Sequence, residues 1–274
     1  QNSSTVIQGF TIQNGAALEP WPYNVGGGIR LFEANVSLKY LNIVSNEAEL
    51  GGGIYCRQSS PIMDNLNIQS NHATDEGGGF NCWGGNPVIT NTSIFNNTAH
   101  SGAGMDLINS NPIIESSEIS GNIAGTGGMG GISLIASNPS FKNVTISSNL
   151  ANSMCGGLFI GNGSLPTFES VILSDNQATG GGGGIATENS APVLEHLTLI
   201  NNISPTGSAI YLSKNSHPII RNTIFSNQVG NEIYANAMYG ASVPNVSYSC
   251  IPGGQSSVQL NFGAELIWGE GNLD

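Results

Sequence analysis

Seven residues ahead of a recurring asparagine, the chain carries Lys39, Asp64, Thr90, Glu115, Lys142, Glu169 and Glu195. If these side chains stand one above another, Glu169 and Glu195 lie about 5 Å apart, the carboxyl separation that serves a retaining glycosidase. Crowding two carboxylates would also raise the pKa of one of them. Glu115 and Lys142 complete that candidate catalytic set, with Glu118 and His196 nearby. The plainer reading is a solvated ladder in which Lys142 offsets Glu115 and Glu169, and that is the reading adopted. β-Elimination would need a basic catalyst and a cation to neutralise a uronate. Six scattered basic residues and no aspartate cluster do not supply them. His72, His100, His196 and His217 are isolated, so no metal or cofactor is expected; Ca²⁺ is compatible with the composition but not indicated by it.

A second constellation offers binding instead of bond breaking. Four residues past the last glycine of a repeated glycine motif come Phe32, Arg57, Trp83, Ile108 and Ile135, beside Arg30, Tyr55, Asn81 and Asp106. Two aromatics flanking an arginine make a flat surface that stacks on sugar rings or anchors a protein partner. The candidate ligand-binding set is therefore Arg30, Phe32, Tyr55, Arg57, Trp83 and Asp106. The alternative is burial of the row beneath the loop WPYNV at 21–25.

Both constellations exist only if residues about two dozen apart become neighbours. Three marks say that they do. GGGI or a variant opens at Gly26, Gly51, Gly77, Gly102, Gly127, Gly156, Gly180 and Gly207. Asn46, Asn71, Asn97, Asn122, Asn149, Asn176, Asn202 and Asn227 recur at 25 to 27 residues, each with Ile or Leu three positions earlier. Pro61, Pro87, Pro112, Pro139, Pro166, Pro192 and Pro218 keep the same beat. A fixed period of this length marks a stacked-repeat architecture.

Within one period, residues 139–163 read PSFKNVTISSNLANSMCGGLFIGNG. FKNVTI and LFI alternate as strands, SSN and GG break them, and no 3.6-residue periodicity is present. Two or three short strands per period, with no helix, predict an all-β, single-stranded parallel β-helix of about eight or nine coils. Coils are expected over 1–234, with 235–274 an irregular last coil or cap of the same domain. Leu41, Leu66, Val144, Val171 and Leu197 should stack in one column, and Ile29, Ile54, Phe80, Met105, Ile132, Leu158, Ile185 and Ile210 in another. The eight asparagines should form a ladder of side-chain amides at an inside corner.

Composition agrees. Only 9% of residues are charged, 38 are glycine, and the net charge is −12. Nucleic acid is excluded as a partner for want of Lys and Arg. An acidic polysaccharide would be repelled unless cations bridge it. No stretch reaches the roughly 18 apolar residues of a membrane span. The first residue is Gln1 and not Met, which suggests a processed or excised piece. Cys56 and Cys82 should share the core in register, within disulfide reach, so a thiol pair and a disulfide both stay open. Cys155 falls in a turn and Cys250 beyond the last clear coil. Uncapped coil ends invite strand pairing. No capping helix is expected before Thr5, so either further chain or end-to-end self-association should cover that end.

The opening coil VIQGFTIQNG at 6–15 and the alternation of GGGI with IFNN or IFSN resemble a known group. They are similar to right-handed parallel β-helix proteins of bacterial surfaces in the pectate-lyase-like superfamily, above all to the GGA(I/L/V) and FxxN repeats of polymorphic outer-membrane adhesins and autotransporter passengers. The segment from NTIFSNQVGNEIY to WGEGNLD resembles the last coils of secreted β-helix proteins that carry a C-terminal sorting or anchoring domain. The resemblance implies right-handed winding and a secreted or cell-surface location in a bacterium. The motif residues are structural ones and leave activity open; with the carboxylates read as a solvated ladder, the expected role is non-catalytic, in adhesion, in polysaccharide or cell-surface partner binding, or as a stalk. A polysaccharide-degrading glycosidase or lyase and an end-to-end filament subunit are the alternatives.

Overall fold

The structure, a computed structural model, describes residues 5–227 and 229–274. The expectation of no capping helix before Thr5, and the first four residues of the 1–234 segment, lie outside that range. Every strand pair among the described residues is parallel, in sheets of fourteen, ten, seven and four strands. A four-residue 3₁₀ turn, Gly254–Ser257, is the one helical element described. The chain is an all-β parallel solenoid of about nine turns.

One winding shows why. Ile62–Asp64, Asn67–Gln69, His72–Glu76 and Phe80–Gly85 are four short strands of one coil. Between them the backbone turns at single left-handed residues, Asn65 and Ser70, and at Gly77. Asn and Ser tolerate that conformation better than bulky residues, and glycine adopts it freely. The residue before each of the first seven ladder asparagines does the same: Ser45, Ser70, Asn96, Gly121, Ser148, Asp175 and Asn201 all have φ between 53° and 62°. Each such turn ends a strand after about three residues and swings the chain to the next face.

The inward columns stack as the period requires. Ile54, Phe80, Met105, Ile132, Leu158, Ile185 and Ile210 are all 0% exposed and lie in one core cluster with Val144, Val171 and Leu197. Phe141 and Phe168 stack face to face on successive coils, ring centroids 5.6 Å apart. Cys56 and Cys82 are register partners in this core, and both are free thiols; Cys155 and Cys250 are free as well.

At the inside corner each asparagine is joined to the next. Asn46 Nδ2 donates to Asn71 Oδ1 at 2.9 Å, and the same bond runs through Asn97, Asn122, Asn149, Asn176 and Asn202 to Asn227. The second Nδ2 hydrogen goes to a backbone carbonyl one coil back, as from Asn97 to Ile68 at 3.0 Å. The ladder ends chemically at both sides. Gly15 donates its N–H to Asn46 Oδ1, and Glu232 accepts from both the backbone and the side chain of Asn227. Past residue 234 the winding continues. Val258–Asn261 pairs in register with Ile233–Asn236, and Ile267–Trp268 with Asn245–Ser247.

Candidate ligand-binding surface

The ten-stranded sheet positions the aromatic row. Ile29–Phe32, Ile54–Arg57 and Phe80–Gly85 are adjacent, with Phe32, Arg57 and Trp83 in direct register. Alternation sends Ile54 and Cys56 into the core and Tyr55 and Arg57 outward. Register partners sit one strand spacing apart, so Arg57 lies between the two rings. Its guanidinium carbon is 5.8 Å from the Phe32 centroid and 5.2 Å from that of Trp83. Phe32 is 48% exposed and Trp83 41%, while Ile108 and Ile135, further along the row, are half-buried. The apolar face is therefore confined to the first coils.

The neighbouring outward row behaves differently from the sequence expectation. Tyr55, Asn81 and Asp106 are only 1–2% exposed. The glycine turn curls over them: at Gly77, with φ +67°, an added Cβ would come within 2.6 Å of the Asn81 Cβ. Asp106 therefore joins no flat surface. It accepts a hydrogen bond from Asn81 Nδ2 at 3.1 Å, and burial, reinforced by the Glu76 charge, pushes its carboxyl well above the usual range. Burial likewise raises Glu76, with Asp75 adding to the effect.

Tyr55 is buried but faces a ligand-sized space. Trp21, Pro22 and Val25 come over the first coils as one wall of a cleft of about 310 Å³, whose other lining is Arg30, Phe32, Tyr55 and Arg57. The WPYNV loop thus borders the row without covering Phe32 or Trp83. The Tyr55 hydroxyl makes no well-formed hydrogen bond. Burial raises its pKa against the opposing pull of the Arg57 and Arg30 charges and of hydrogen bonding from the Arg57 guanidinium beside it. Trp21 and Pro22 entered the sequence reading only as a cover; nothing in a one-dimensional pattern distinguishes a lid from a wall.

The carboxylate row follows the expected register through Lys39, Asp64, Thr90, Glu115, Lys142 and Glu169. Glu195 belongs to a different sheet and pairs with Arg221. The Arg221 Nε lies 2.7 Å from a Glu195 oxygen, and Lys142 Nζ lies 3.0 Å from Glu169. The two carboxylates are thus drawn to cations on opposite sides, Glu169 toward the preceding coil and Glu195 toward the following one. Glu115 is the register neighbour of Lys142 on its other side. A depression of about 550 Å³ is lined by Glu169 and His196 together with Ile172, Leu197, Asn222 and Ile224, and Glu195 is not among its lining residues. No group of three or more metal-ligating side chains occurs among the described residues.

The family model described as a right handed beta helix region matches residues 1–171. That is more than half of the chain, which therefore belongs to this family of right-handed β-helix proteins. No curated protein and no solved structure matches it. No helix among the described residues is long and apolar enough to cross a membrane.

Proposed function

We propose that the chain is a non-catalytic binding module of an extracellular or bacterial cell-surface protein, engaging a carbohydrate through the first coils of its ten-stranded sheet. The observation that carries this reading is Arg57 held between two exposed rings, Phe32 and Trp83, beside the Trp21–Tyr55 cleft. Exposed aromatics aligned on a sheet form a stacking platform of low entropic cost, because each ring has only two side-chain torsions to order and Arg57 already lies against both. The pectate-lyase-like kinship suggested by the repeats supports a polysaccharide partner. Against the polysaccharide-degrading alternative stand the ion pairs that occupy Glu169 and Glu195.

The test is an immobilised glycan panel read with the intact chain and with Trp83→Ala. Loss of one aromatic stacking contact, about 1 kcal/mol, should weaken binding roughly fivefold. Equal binding by both proteins removes the surface from the argument. The same panel, scored for new reducing ends and unsaturated products, tests catalysis. Turnover abolished by Glu169→Gln would overturn the proposal.

A further inference from the structure

We infer that the cleft between the WPYNV loop and the arginine row binds a single acidic sugar, a ring bearing one carboxylate or sulfate at the end of a glycan. The inference rests on the binding reading above and goes beyond it by naming the ligand's charge and its position in the chain.

Charge pairing supplies the first argument. The chain has 18 acidic residues and only 6 basic ones. With acids in such excess, half of the basic side chains find a carboxylate partner. Lys142, Lys214 and Arg221 lie 3.0, 2.8 and 2.7 Å from one, and Lys39 faces Asp64 across the register. Lys39, Arg30 and Arg57 have no carboxylate at ion-pair distance among the described residues, and of these the two arginines line one cleft together. Two guanidiniums with no acidic partner on one wall bring two positive charges together in a chain of net charge −12. Each can offer a planar fork of donors to a carboxylate or sulfate.

The second argument is independent of charge. Tyr55 is buried and lines the cleft, its oxygen lies beside the Arg57 guanidinium, and its own O–H has no acceptor among the described residues. A buried donor without an acceptor costs about 1–3 kcal/mol, so its retention asks for a reason. A ligand oxygen entering between Arg30 and Arg57 would accept the Tyr55 O–H and relieve that cost. Arg30 and Tyr55 are register partners on adjacent strands, so both side chains leave the same face of the sheet.

Size and net charge then select one acidic ring over a polyanion. About 310 Å³ is at the lower end of ligand pockets and suits one ring with its substituent. A long acidic polymer would run on from the cleft across a surface of net charge −12 and be repelled. A terminal residue places its one negative charge at the arginines and nothing else.

The experiment uses the full chain against four immobilised probes: a glucuronic-acid-capped oligosaccharide, its glucose-capped analogue, a sulfated-galactose-capped one and polygalacturonate. The acid- and sulfate-capped probes should bind at least tenfold more tightly than the glucose-capped one, and the preference should fall with added salt. The ratio between the two acidic caps tells carboxylate from sulfate. Arg30→Gln and Tyr55→Phe should remove most of the preference while far-UV circular dichroism stays unchanged and the melting temperature does not fall, rising in Tyr55→Phe as the unmatched donor is removed. Trp83→Ala should weaken all caps alike. Equal binding of acidic and neutral caps, or tightest binding to polygalacturonate, overturns this inference and leaves the binding reading standing. A Tyr55→Phe protein that keeps the full preference overturns it as well. Binding to none of the probes, or binding indifferent to Trp83, overturns both.

Discussion

Asn122 is the middle rung of the ladder, and truncating it to alanine isolates what the ladder contributes. Four side-chain bonds disappear. The Nδ2 donors lose Ile94 O at 3.0 Å and Asn149 Oδ1 at 2.9 Å, and the Oδ1 no longer accepts from Asn97 N and Asn97 Nδ2, both at 3.0 Å. Some partners are covered by what remains: Asn149 Oδ1 keeps the Asn122 backbone N–H, and Asn97 Nδ2 keeps Ile68 O. The Asn97 backbone N–H and one Asn97 amide hydrogen are left without an acceptor, at a residue 0% exposed. At about 1–3 kcal/mol for each of these two buried groups, Asn122→Ala should cost roughly 2–6 kcal/mol. That is a large share of the 5–15 kcal/mol typical of a folded domain. The control is Asn67→Ala, whose amide bonds Asn42 at 3.3 Å on the solvent side and should cost less than about 0.5 kcal/mol. Urea unfolding followed by circular dichroism gives the difference. Because solenoid coils can open by nearest neighbours, amide exchange should show the loss centred on the coils that hold Asn97, Asn122 and Asn149. A cost below about 1 kcal/mol, or one equal to that of Asn67→Ala, would show that the ladder is a consequence of stacking and not a cause of it.

Two further perturbations separate backbone contact from backbone conformation and test the buried acid. A methyl group at Gly53 would lie 2.5 Å from the Gly79 carbonyl oxygen of the next coil, so Gly53→Ala should destabilise by about 3 kcal/mol or prevent folding. Gly163→Ala meets open space but keeps φ at +77°, and its cost should stay near 1–2 kcal/mol in the same unfolding assay. Asp106, whose carboxyl is held protonated by burial, adds stability at low pH that is lost as pH rises from the unfolded value toward the raised folded one. Asp106→Asn should therefore raise the melting temperature at pH 8 and change it little at pH 3; a stabilisation that is the same at both values would contradict the assignment.

Inward positions were legible because each coil repeats the same demand. An apolar residue at Ile54 needs one at Phe80 and Met105, so periodicity carried the core, the corners and the asparagine ladder directly. A second ladder at the same period went unread. Ser110 N donates to Ser137 Oγ and Ser137 N to Ser164 Oγ, and Ala34 N to Ser59 Oγ, in buried turns. The signal was present as Ser59, Ser110, Ser137, Ser164, Ser190, Ser216 and Ser242 at multiples of the repeat, but serine is common enough in this chain to hide it. Glu232 was unreadable for another reason. It closes the asparagine ladder from five residues beyond Asn227, outside any periodic mark, and burial raises its carboxyl despite two hydrogen bonds from Asn227.

Outward positions obey no such demand, and this is why the repeat that shows the fold conceals the site. The register row that begins Phe32, Arg57, Trp83 continues as Ile108, Ile135, Gly161, Glu188 and Ser213. Stacking tolerates every one of these, so their identities are free to be set by something outside the coil. Where the row departs from what solvent alone would allow, with two exposed rings and an arginine without an acidic partner in an acidic protein, the departure needs its own cause. The cleft supplies one only because the WPYNV loop, which has no counterpart in later coils, returns to the same strands. Site and repeat are thus complementary: the period fixes a flat, rigid lattice of outward positions, and the one segment that breaks the period chooses which of them meet a ligand.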